Sequence, residues 1–111
     1  MTGEQFLQDA RNAHKAGNEK LEADSLKEAA QTGYAPALAE LGKAYREGSV
    51  VEAEPGKAFE LTKEAAEQGY VPAMTDLADM YMRGLGVQKS TAEAAKWSSK
   101  ASAAGVANAP H

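Results

Sequence analysis

The chain is predicted to be all-α, built as about three stacked helical hairpins. Three observations carry this prediction. The segment GYAPALAELGKAYREGSVV at Gly33 is restated 36 residues later as GYVPAMTDLADMYMRGLGV, and Gly105, 36 residues further on, opens GVANAP. A fixed period of this length marks a stacked repeat array. Alanine is abundant and β-branched residues are few, which favours helix. Glycine and proline recur at the same places in each period, where helices are expected to stop and start.

The first helix of each full repeat follows a proline, Pro36 or Pro72. Proline is tolerated at a first helical position because no backbone donor is needed there. Ala37, Leu38, Leu41 and Tyr45 then fall on one helical stripe, matched by Ala73, Met74, Leu77 and Tyr81. Gly48 and Gly84 are expected to end these helices in the left-handed conformation. The second helices start at Glu54-Pro55, read as an acidic cap with a proline, and at Ser90, which has capping-box spacing to Glu93. Ala58, Leu61 and Ala65 form their apolar stripe, mirrored by Ala94, Trp97 and Ala101. Gly69 and Gly105 are expected to terminate them.

Residues 1–32 read as a shortened first unit. Leu7, Ala10, His14 and Gly17 match Leu38, Leu41, Tyr45 and Gly48 at a constant offset of 31, whereas SLKEAAQTG matches LTKEAAEQG at the usual 36. Five residues are therefore missing from the loop inside the first hairpin. The expected organisation is one domain over 1–111: a divergent unit at 1–32, full units at 33–68 and 69–104, and a mobile start of another unit at 105–111.

Composition narrows the function. The chain of 111 residues has no cysteine, which excludes a thiolate nucleophile, a disulfide framework and a cysteine-based metal site. The histidines, His14 and His111, are far apart, so neither a metal site nor a cofactor is expected. The net charge is −4, and no stretch gathers the lysines and arginines that nucleic-acid binding needs. The opening residues have no apolar run, and no stretch approaches the ~18 apolar residues of a spanning helix. A cytoplasmic protein without membrane insertion is the expectation.

The residues Ala73, Leu77, Tyr81, Gly84, Gly86, Val87, Ala94, Trp97, Lys100, Ala101 and Gly105 resemble the Sel-one-like repeat, a relative of the tetratricopeptide repeat with a longer inter-helix loop. The GLGV loop followed by alanine and tryptophan carries most of the resemblance. Unit 33–68 departs from it at Ser49, Val50 and Leu61, and unit 1–32 departs most. The resemblance implies a right-handed α-solenoid, a tetratricopeptide-like superhelix, and a non-catalytic role as a protein- or peptide-binding adaptor or regulatory subunit. A small inhibitor or chaperone-like protein masking one partner, or a subunit of an enzyme, are the alternatives.

The residues themselves offer no catalytic set. Ser90 is a helix cap with no base beside it in any local motif. Trp97 occupies a position that is apolar in both full repeats, so it reads as core. His14 stands where the tyrosines stand, which suggests packing or a helix end. The GLGV loop lacks the rest of a dinucleotide fingerprint and reads as a connector.

The faces opposite the apolar stripes carry Gln8, Asn12 and Lys15, then Glu40, Lys43 and Arg46, then Asp76, Asp79 and Met82. The resemblance places this face on the concave side of the solenoid. It is the candidate peptide-binding groove, with a plain solvated surface as the alternative. Asn12, Lys15, Lys43 and Arg46 offer donors for a carboxylate. Asp76 and Asp79 give the far end the opposite sign. A monomer is expected.

Overall fold

A computed structural model describes residues 1–108, with side-chain surroundings through Gly105. Six helices follow one another: α1 (Gly3–Lys15), α2 (Glu19–Gln31), α3 (Ala35–Glu47), α4 (Pro55–Glu67), α5 (Val71–Arg83) and α6 (Thr91–Asn108). There is no strand among the described residues. Consecutive helices pair as hairpins, and α2 packs on α3 as α4 packs on α5. Apart from a small contact between α1 and α3, the extensive packing is between helices that are neighbours in the chain. The result is an all-α helical-repeat solenoid.

The starts and stops have local causes. Thr2 accepts from the Gln5 amide at 3.2 Å while the Gln5 side chain accepts from the Thr2 amide at 2.7 Å, a complete capping box at α1. Asn18 caps α2 through the Leu21 amide at 3.1 Å, and Ser90 caps α6 through the Glu93 amide at 3.1 Å. Gly48 and Gly84 end α3 and α5 in the left-handed conformation. Pro36 and Pro72 lie one residue inside the helices they open, behind Ala35 and Val71.

The shortened loop is as expected. Gly17 is left-handed and is followed at once by Asn18, the cap of α2. The Asn18 amide bonds Ala13 O at 2.9 Å and the Gly17 amide bonds His14 O at 3.1 Å. That double bond pattern is a Schellman ending. In the other units residues 49–53 and 85–89 separate the left-handed glycine from the next cap.

The core runs along the axis of the array. Leu7, Leu26, Leu38, Leu41, Tyr45, Met74, Leu77, Met80 and Trp97 are buried among alanines. Small residues set the helix spacing. A Cβ on Gly42 would lie 2.7 Å from Thr62 Oγ1 and 3.3 Å from Ala58 O, so α3 and α4 touch through backbone there.

Three expectations are corrected. Gly105 does not end α6, which continues to Asn108. The segment Ala103-Ala104-Gly105 lies in an alanine-rich run whose propensity carries the helix onward, since one glycine costs only ~1 kcal/mol against alanine. The expected mobile tail falls in part on residues 109–111, which lie outside the described residues. Glu54 does not cap α4 with its side chain. Its carboxylate instead pairs with Lys57 Nζ at 3.3 Å. Tyr81, which its place on the apolar stripe marks for burial like Tyr45, is only half-buried. It meets the edge of Phe59 with ring centroids 5.4 Å apart at 85°, and burial raises its hydroxyl pKa.

Val50 is the one non-glycine residue at positive φ, 59°, among the described residues. It occupies the place of Gly86 one period earlier. A left-handed β-branched residue costs roughly 1–2 kcal/mol. Val50 also packs partly against the core, and glycine carries extra chain entropy of ~0.5–1 kcal/mol. These terms oppose one another. Val50→Gly is therefore expected to stay within about 1 kcal/mol of wild type in a chemical denaturation curve. A loss beyond about 2 kcal/mol would show that packing, not strain, governs the loop.

Candidate functional site

The exposed sides of α1, α3 and α5 lie along one face, joined by ion pairs. Arg11 Nη2 meets Glu40 Oε1 at 2.7 Å, which links α1 to α3 and raises the guanidinium pKa, first through the hydrogen bond and then through the carboxylate charge. Arg46 on α3 pairs with Asp79 on α5, and Asp79 also accepts from Arg83 Nε at 2.9 Å. Asp79 thus sits between two guanidinium groups.

The predicted residues divide into smaller groups. Gln8, Lys15 and Glu40 line a cavity of about 470 Å³ between the first and second units. Its other walls are Arg11, His14 and Glu22, over a floor of Ala10 and Leu26. Lys43, Arg46 and Asp76 line a cavity of about 90 Å³ between the second and third units, with Thr62 at its base. Asn12 belongs to neither. It accepts from Gln8 Nε2 at 3.2 Å and borders a depression with Ala13, Asn18 and Ser25. Met82 is 49% exposed, farther along α5. Asp79 is not free to receive a ligand, and neither is Arg46, because each is engaged with the other.

Arg46 cannot serve as a stability-neutral probe of binding, as its place opposite the apolar stripe first suggests. Its side chain is only 27% exposed and faces Asp79. A carboxylate there would confront Asp79 and Asp76. Lys43, by contrast, is exposed and has no ion-pair partner among the described residues.

Asp76 is half-buried, and desolvation raises its pKa, partly opposed by Arg46 and Lys43. The folded state therefore favours the protonated carboxyl more than the unfolded state does. The contribution of Asp76 is most favourable below its unfolded pKa and is lost as pH rises through its folded pKa. Asp76→Asn is expected to stabilise at pH 7, by less than ~1 kcal/mol because solvent screens a partly exposed group. The gain should vanish near pH 3. Urea denaturation of both proteins at the two pH values checks this, and a larger gain at pH 3 would refute it.

Sequence reasoning missed Arg11, His14 and Glu22 as cavity walls. His14 is read as packing or a helix end. Its side chain is 74% exposed in the last turn of α1, with Nδ1 3.0 Å from Glu22 Oε1. The helix-end role stands and the packing role does not. On another side, Leu38, Leu41 and Tyr45 floor a groove of about 550 Å³ between α2 and α4.

Comparison with known proteins gives the array its family. The Sel1 repeat matches twice, at residues 35–70 and 71–106. The chain belongs to the Sel1 repeat family. Its period is that of the glycines at 33, 69 and 105, with the frame set two residues later. A Sel1 repeat protein from Oxalobacter formigenes superposes with a TM-score of 0.80 at 27% identity, over 87% of this chain and 40% of that one. A protective antigen of uropathogenic Escherichia coli strains, displaying an SLR fold, gives 0.79 at 30% identity, over 95% of this chain and 26% of its own. This Sel1 chain thus spans well under half the length of either structure. No curated protein matches it. No helix among the described residues is long and apolar enough to cross a membrane.

Proposed function

We propose that this chain is a non-catalytic protein- or peptide-binding module, an adaptor or regulatory subunit, that takes its partner on the face shared by α1, α3 and α5. The observation that carries this is the row of exposed side chains held in register on three alternate helices, one from each hairpin. Gln8 and Lys15, then Lys43, then Thr75 and Met82 are exposed along it, while Arg11–Glu40 and Arg46–Asp79 fix the spacing between helices. The arginines and carboxylates of Arg11–Glu40 and Arg46–Asp79 are spent on one another rather than set against a nucleophile, which suits binding and not turnover. The solenoid offers a long shallow surface, which fits an extended segment better than a small substrate.

The module works as a monomer in this reading. The outward side of α6 carries exposed Ala95, Ser98 and Ser102, where the same positions of α4 hold Phe59, which meets Tyr81 of α5, and the buried Thr62 and Ala66. Small polar residues make a poor self-docking surface.

Affinity capture from the native host with variants on opposite faces tests the proposal. Thr75→Arg and Met82→Arg should each remove a captured partner, while Lys63→Glu, exposed on α4, should not. Loss with Lys63→Glu alone would move the site to the outer helices and the α2–α4 groove.

A further inference from the structure

We infer that the groove between α2 and α4 is a second docking surface, and that it takes a protein segment presenting one aromatic side chain between basic ones. The groove shares none of the exposed residues of the α1–α3–α5 face and does not rest on the reading of that face.

The third unit shows what the second one lacks. Leu38, Leu41 and Tyr45 floor the groove, and half-buried Leu61 forms part of its α4 wall. At the offset of 36, Leu61 becomes Trp97, which is only 6% exposed and belongs to the core. The third unit thus places its own aromatic side chain at the position that lines the groove in the second. Leucine is smaller and leaves space, and the groove holds about 550 Å³. α2 also packs on α3 less extensively than α4 packs on α5, which keeps the groove open. An aromatic ring is flat enough to enter a slot and gains much from burial there.

Charge defines the neighbours of that ring. Lys96 and Lys100 stand over Trp97, with Nζ 5.9 and 4.6 Å from the ring centroid. Their counterparts at the offset of 36 are Glu60 and Glu64. Both are exposed on the α4 rim of the groove, and neither has an ion-pair partner among the described residues. The groove offers carboxylates where the third unit offers ammonium groups. A segment that brings the ring and the cations together complements both. Lys57 on the same rim is already engaged, 3.3 Å from Glu54 Oε2 and 5.3 Å from the Tyr45 ring centroid. Lys27 stands on the α2 wall, so basic side chains of the occupant are directed to the α4 side. The chain's own segment 96–100 carries the same pattern, KWSSK. Its tryptophan is buried in the core, so the occupant is a segment of another protein rather than a second copy.

Backbone amide NMR of the full chain tests this with acetyl-Lys-Trp-Ser-Ser-Lys amide, which copies residues 96–100. The controls are the same peptide with alanine for tryptophan, the same peptide with glutamate for both lysines, and N-acetyl-tryptophan amide. The expected result is saturable shifts at Leu38, Tyr45 and Leu61 with the first peptide, at a Kd on the order of millimolar. Each control should bind at least ~3-fold more weakly. Joint replacement Glu60→Gln and Glu64→Gln should weaken binding at least ~3-fold. Leu61→Trp fills the groove from within and should abolish the shifts at Leu38 and Tyr45. Should that variant not fold, the glutamine variant decides alone. Undiminished binding by the glutamine variant, or equal binding of the alanine or acidic peptide, would overturn the inference. Equal binding of N-acetyl-tryptophan amide would do so too, by making the groove a small-molecule site. Concentration-dependent shifts of the same amides without peptide would put a second copy in the groove and equally overturn it. Failure of the face-mapping capture experiment would leave these titrations unaffected, so the two ideas can fall separately.

Discussion

Truncating Leu77 to alanine is expected to cost 2–5 kcal/mol, the range seen for well-packed leucines. Leu77 is fully enclosed, at 0% exposure, in the middle of α5. Its surroundings cannot collapse easily. α5 is held by α4 on one side and α6 on the other, and much of the neighbouring core is alanine, which has no side chain to swing into a void. The upper half of the range is therefore expected. Guanidinium denaturation checks it, with a midpoint shift at unchanged slope. A loss below about 1 kcal/mol would mean that the α4–α5–α6 layer is loosely packed.

The second large effect is expected at Gly86. Two penalties meet there. The backbone is left-handed, at φ 71°, and a Cβ would lie 2.0 Å from Pro55 O and 2.5 Å from Pro55 C. The obstacle is the first turn of α4, which is backbone and has no rotamer to change. The left-handed penalty alone is roughly 1–2 kcal/mol, and displacing the loop adds to it. Gly86→Ala is thus expected to cost at least ~2 kcal/mol. Val50 tolerates the same conformation one unit earlier. The contrast between Gly86→Ala and a near-neutral Val50→Gly, measured by the same denaturation curves, separates steric contact from backbone conformation. Equal, small effects would show that the loop simply moves aside.

The sequence made the helices legible because their punctuation is local. Ser90, Gly48, Gly84 and the missing loop residues of the first hairpin act within a few positions of themselves. Gly105 misled because one glycine costs an alanine-rich helix only ~1 kcal/mol, too little to stop it by itself. Position within a period does not report that. The buried stripe was legible where a large apolar residue recurs, as at Leu41 and Leu77. It was less so at Tyr81, whose burial depends on how far Phe59 reaches from the neighbouring helix.

The candidate face was read from its spacing alone, and its pairings were not. Arg46 and Asp79 lie 33 positions apart, and no local rule joins them. Arg11 escaped notice because its counterpart is a glycine, which gives no hint that the position overlooks a cavity. A signal was available all the same. Aligning the units at 36 places Lys43 with Asp79, and so shows a charge reversal. Only the structure shows that Asp79 pairs with Arg46.

The neighbour-to-neighbour packing of the helices also governs how the chain reaches its native state. Almost every large contact is made between segments that follow each other directly, so the loops that must close are short and their entropic cost is small. Folding should be fast, with nucleation possible in either full unit and growth outward from it. Unfolding should run in the opposite sense. α1 and α6 are each held mainly by one partner helix, so their amides should exchange with solvent before those of α3 and α4.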